Sequence, residues 1–84
     1  SRIARRRDPQ LTAELGSVME RRGLTQEARR LYADAALLAR QRGERELEAA
    51  VSLRLADLFN RSGDQAQAGR LAARAKELSA AQED

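Results

Sequence analysis

Apolar positions recur along the chain at helical spacing, and the recurrence divides it into four segments. Leu11, Leu15, Val18 and Met19 share one face of the first, while Ala28, Leu31, Ala35 and Leu38 form a stripe along the second. Val51, Leu55, Leu58 and Phe59 repeat the first stripe, and Ala68, Leu71, Ala75 and Leu78 repeat the second. The spacing predicts four helices and no strand.

Turn and cap residues fall where this division needs them. Asp8 is a good N-cap, and Pro9 fits the first helical position, where its missing N–H costs nothing. The first helix should close near Arg22, with Gly23 taking the left-handed conformation and Thr25 capping the second. Gly43 and Gly63 repeat the stop signal, so the second helix should reach about Arg42 and the third should span Glu44 to Ser62. Asp64 caps the fourth helix, which is expected to fray after Ala80.

A shift of 40 residues superposes the two halves. Leu11 aligns with Val51, Leu15 with Leu55, Val18 with Leu58, Gly23 with Gly63, Ala28 with Ala68, Ala35 with Ala75 and Leu38 with Leu78. One helix-turn-helix unit therefore occurs twice, at a period typical of helical repeat arrays. The expected organisation is a basic arm over 1–8, two repeats over 9–43 and 44–80, and a short tail over 81–84.

Small residues at Gly16, Ala28 and Ala35 recur as Ala56, Ala68 and Ala75, as if neighbouring backbones approach closely there. Leu15, Met19, Leu31, Leu55, Phe59 and Leu71 are expected to fill the volume between them. A glycine within a helix costs about 1 kcal/mol relative to alanine, so Gly16 needs a packing reason.

These residues resemble the tetratricopeptide repeat (TPR) family. The first unit supplies Leu15, Gly16, Met19, Gly23, Ala28, Tyr32 and Ala35, and the second Leu55, Ala56, Phe59, Gly63, Ala68, Ala72 and Ala75. The chain departs from the family pattern at Thr12 and Ser52, where a larger residue is common, and at Ala72, which replaces the second-helix aromatic. Its period of 40 is similar to that of the longer, kinesin-light-chain-like variety. The resemblance implies an all-α fragment of an α-solenoid: two TPR-like repeats made of four antiparallel helices.

It also implies a function. First helices of successive repeats in this family line a groove that captures peptides or helices of other proteins. Opposite the apolar stripe, the matching positions are Gln10, Ala13, Ser17 and Glu20 on the first helix, and Ala50, Leu53, Asp57 and Asn60 on the third, with Arg54 at the edge. Leu53 is a large aliphatic on that face, either a partner anchor or an ordinary exposed leucine. Ala13 and Ser17 stand where the chaperone-binding members carry Lys and Asn, so that specialisation is not expected. Leu37 lies on the outer side of the second helix and reads as a surface residue, and Tyr32 reads as packing.

Composition narrows the chemistry. The 84 residues contain no His and no Cys, which removes the usual general base, the thiolate nucleophile and the common zinc ligands. Glu44, Glu46 and Glu48 match no calcium-loop spacing and read as the solvated start of a helix. We therefore expect neither an enzyme nor a bound cofactor. Sixteen basic residues against 13 acidic ones give a net charge of +3. Their interspersion reads as a solvated surface.

Fifteen of the basic residues are Arg, which with abundant Ala points to a GC-rich bacterial genome. Tyr32 and Phe59 are the only aromatics, too few for a single-strand stacking platform. Arg5, Arg6 and Arg7 read as a solvated arm, with phosphate binding the alternative. No apolar run approaches the roughly 18 residues a membrane span needs, so the expectation is a cytoplasmic module. Its partner is expected to be another protein, and the alternative is a self-associating domain that docks or oligomerises subunits, with a homodimer as its simplest form.

Overall fold

The computed structural model describes residues 8–82. Four helices follow one another: α1 (Pro9–Arg21), α2 (Thr25–Arg42), α3 (Arg45–Arg61) and α4 (Gln65–Gln82). No strand occurs among the described residues. The expected basic arm lies outside them, apart from Asp8.

The three connections share one mechanism. Gly23, Gly43 and Gly63 have φ of 78°, 71° and 88°, which only glycine adopts at little steric cost. In each, the residue after the glycine donates its N–H back across the turn: Leu24 to Met19 O, Glu44 to Ala39 O and Asp64 to Phe59 O, all at 2.9 Å. This pairing satisfies carbonyls left open at the helix end and returns the chain at once into the next helix. Connections this short force antiparallel neighbours.

Caps agree with expectation at two helices. The Asp8 carboxylate accepts from the N–H groups of Gln10 (2.9 Å) and Leu11 (3.4 Å), and Asp64 accepts from Gln67 N–H at 3.1 Å. Thr25 does not cap α2; it is the first helical residue, and Leu24 holds the cap position with no side-chain bond. The Leu24 N–H is already committed to Met19, so the turn itself orders this start. At the other end α4 runs to Gln82, two residues past the expected fraying point, with no Gly or Pro after Ala80 to stop it.

Each helix packs chiefly on its neighbour in sequence, and α1 meets α3 along one edge. The core joins Ala28, Tyr32 and Ala35 of α2 to Val51, Leu55 and Leu58 of α3. A second cluster, Ala49 with Ala75 and Leu78, holds α3 to α4. Arg29 of α2 lies over the Phe59 ring, 4.9 Å from its centroid, and shields that half-buried aromatic.

Gly16 has the packing reason that its helix position required. A Cβ added there would stand 2.9 Å from two carbons of the Tyr32 ring, so α1 and α2 approach over a glycine.

Two expectations about burial are corrected. Leu11 and Leu15 are 52% and 46% exposed and do not fill the interior, whereas their repeat equivalents Val51 and Leu55 are 2% and 4% exposed. In α3 that face is covered by the preceding helix, α2; among the described residues no helix precedes α1. What α1 buries instead is Pro9 and Gly16. Glu48, expected to be solvated, is 2% exposed. Its carboxylate accepts Arg40 Nε at 3.1 Å and Arg74 Nε at 3.0 Å, so it is neutralised by guanidinium groups from α2 and α4.

Candidate functional site

The face predicted to receive a partner is divided by the structure between two depressions. Ser17 and Glu20 of α1 and Arg54 of α3 come together with Arg21 and Arg61 around the first, between α1 and α3. Leu53, Asp57 and Asn60 line the second, a groove between α3 and α4 completed by Gly69 and Ala72. Gln10 is exposed apart from both, beside the α2–α3 turn at Glu44 and Arg45. Ala13, taken from sequence as lying opposite the buried stripe, is instead half-buried against the core, because α1 turns its glycine side toward α2. Ala50 is exposed and lines neither depression.

Polar groups of the first depression are tied to the core by one phenol. The Tyr32 hydroxyl donates to Glu20 Oε1 at 2.8 Å and lies 3.1 Å from Ser17 Oγ. Burial pushes the phenol above its usual range; the Ser17 bond and the Arg54 cation oppose this, while the Glu20 carboxylate reinforces it. Ser17 and Glu20 thus help seat Tyr32 as well as facing the depression. The seating of Tyr32 is not visible from helical spacing alone, which reports a shared face but not what reaches across to it.

Cations outnumber anions around this face. Arg61 pairs with Glu20 at 3.7 Å and with Asp57 one turn before it. Arg21 and Arg54 form no ion pair among the described residues. Leu53 stands nearby and is 54% exposed, a large aliphatic side chain directed at solvent.

The remaining chemistry is sparse. Among the described residues no group of three or more acidic side chains is placed to hold a metal ion. None of the described helices is long and apolar enough to cross a membrane. Sequence reasoning missed Arg21 and Arg61, which occupy the last turns of α1 and α3, where a basic residue reads simply as a partner for the helix dipole. No family model matches the chain, and no curated protein or solved structure matches it.

Proposed function

We propose that the chain is a non-catalytic protein–protein interaction module, a TPR-like pair of repeats of bacterial origin, whose α1/α3 face takes a peptide or helix of a partner. The observation that carries this reading is the open depression where Arg21 and Arg54 form no ion pair among the described residues, with the exposed Leu53 beside Arg54 along α3. Interfaces of this kind concentrate energy in an apolar anchor and a few well-placed charges. Excess cationic charge supports a partner segment that is acidic, since complementary charge governs encounter and register.

The test is direct. A partner captured with the chain should perturb the backbone amides of Ser17, Arg54 and Asp57 in a nuclear magnetic resonance titration, and its affinity should fall as salt rises. Perturbation confined to the outer faces of α2 and α4 would overturn the assignment.

One observation favours a second reading, self-association. Leu11 and Leu15 form an exposed apolar strip where their equivalents in α3 are covered by a helix. A second copy covering that strip would remove the exposure. Sedimentation at increasing concentration separates the two, because only self-association gives a dimer that Leu15→Glu dissolves.

A further inference from the structure

Tyr32 fills a space in the first repeat that stays open in the second. The groove between α3 and α4 is lined by Leu53, Ala56, Asp57, Asn60, Gly69 and Ala72, among others. Shifted by 40, these become Ala13, Gly16, Ser17, Glu20, Arg29 and Tyr32. In that first set the Tyr32 ring lies on Gly16, and its hydroxyl reaches Ser17 and Glu20. In the second set Ala72 replaces the ring, and the groove between α3 and α4 is open to solvent.

We propose that this groove takes a tyrosine side chain presented by a partner protein, its phenol donating to the Asp57 carboxylate with the Asn60 amide beside it. The inference rests on the interaction-module reading and deepens it, since it names the partner chemistry recognised at Leu53, Asp57 and Asn60.

Four features select that occupant. Asp57 and Asn60 hold the positions from which Ser17 and Glu20 bind the Tyr32 hydroxyl, so hydrogen-bonding groups for a phenol are in register. Leu53, in the place of Ala13, adds an apolar wall to the space, and an aromatic ring with a polar tip suits a site that is apolar at the floor and wet at the rim. A Cβ added to Gly69 would meet nothing within 4 Å, so the groove is open for entry on its α4 side. Ala56 carries a methyl where Gly16 has none and is 8% exposed, so an incoming ring, not tethered to α4 as Tyr32 is to α2, seats toward the exposed Ala72 at the outer side of the groove.

Hydrogen bonding and composition exclude close alternatives. A phosphorylated tyrosine has no phenolic O–H left to donate to the Asp57 carboxylate, which is already paired with Arg61, so the free phenol is favoured over its phosphorylated form. A second copy does not supply the ring, because the chain has one tyrosine and it is buried in its own repeat.

The experiment titrates the isotope-labelled chain with N-acetyl-tyrosinamide, N-acetyl-phenylalaninamide and the phosphorylated tyrosine analogue. The tyrosine probe should shift the amides of Ala56, Asp57, Asn60, Gly69 and Ala72 saturably, at millimolar concentration. The phenylalanine probe should bind about five-fold more weakly for want of one hydrogen bond, and the phosphorylated probe, which lacks the phenolic O–H, should bind no better than the phenylalanine one. Asp57→Ala should equalise the first two. The double variant Ala56→Gly, Ala72→Tyr rebuilds the first repeat's pair in the second and should abolish the response while helicity is kept. Equal binding of the tyrosine and phenylalanine probes to the parent, shifts spread over Leu11 and Leu15, or an unchanged response in the double variant would each overturn the proposal. Those results leave untouched the reading of the α1/α3 face as a partner surface, which stands or falls on substitution at Arg54, a residue that lines the α1/α3 depression and not the groove.

Discussion

Glu48 and Arg74 bind across the α3–α4 interface with Nε 3.0 Å from Oε2, and the same oxygen takes Arg40 from α2 at 3.1 Å. One buried carboxylate thus joins three helices. Removing one partner of such a group costs more than the pair contributes, because the remaining charges lose their counter-ion. Arg40 and Arg74 can turn toward water, so the cost is moderated: Glu48→Ala should lower unfolding free energy by about 1–3 kcal/mol, read by urea denaturation. Arg40→Ala should cost less than Glu48→Ala, and equal losses would show that the carboxylate is not the hub.

Two buried groups give stability opposite pH limits. Burial pushes the Glu48 carboxyl up, but hydrogen bonds from Arg74 and Arg40 outweigh it and hold it below the usual carboxylate range. A depressed folded pKa contributes stability that is full above the unfolded value and is lost as pH falls through the folded one. Tyr32 is raised, chiefly by burial, so its contribution is full below the ordinary phenol value of 10.0 and is lost as pH climbs beyond it. Thermal melts across pH should therefore fall at both ends, with Glu48→Gln flattening the acid limb and Tyr32→Phe the alkaline one. An acid limb unchanged in Glu48→Gln would assign it to other carboxylates.

The turns, and the need for a close approach at Gly16, were legible in the sequence because each rests on local chemistry or on a residue's size; that the Tyr32 ring makes the approach was not. Nor was the burial of Glu48. A glutamate in a helix's first turn looks the same whether solvent or arginine faces it, and Arg40 and Arg74 arrive from other helices. Leu11 and Leu15 mark a further limit: periodicity tells which residues share a face, not whether another helix covers it. Leu53 was correctly read as outward-facing, yet the division of its face into two depressions depends on Tyr32 filling one repeat where Ala72 leaves the other open. That difference emerges only when the repeats are compared as volumes.

Gly16 and Gly69 should respond oppositely to alanine. Each substitution gains about 1 kcal/mol of helix propensity. At Gly69 nothing opposes the gain, since an added Cβ has open space. At Gly16 the methyl meets the Tyr32 ring at 2.9 Å, and the ring is held by its hydroxyl bonds, so overpacking of about 1–3 kcal/mol should cancel or exceed the gain. Gly69→Ala should raise the melting temperature and Gly16→Ala should not; a rise in both would show that Tyr32 yields easily.

Repeat equivalents should also differ when truncated. Leu55→Ala empties a buried site between α2 and α3 and should cost about 2–5 kcal/mol. Leu15→Ala removes a side chain already half in water and should cost less than about 1 kcal/mol in the monomer. Denaturation at low protein concentration measures both, and a large Leu15→Ala cost that grows with concentration would instead reveal a self-associating surface.

Partner binding supplies the last prediction, since α3 puts an exposed aliphatic side chain, Leu53, next to Arg54, which forms no ion pair among the described residues. Leu53→Asp replaces the apolar anchor with a charge and should cost at least about 2 kcal/mol of binding, the scale of an interface hot spot. Stability should change by no more than about 0.5 kcal/mol, because Leu53 is mostly in solvent. Arg54→Glu should weaken an acidic partner strongly and a neutral one little, with the difference shrinking at high salt as screening shortens the reach of both charges. Calorimetric titration of a captured partner against the parent and both variants, with circular dichroism to confirm helicity, reads all three terms. Unchanged affinity in both variants would move the binding surface off this face, to the outer sides of α2 and α4 or to the apolar strip at Leu11 and Leu15.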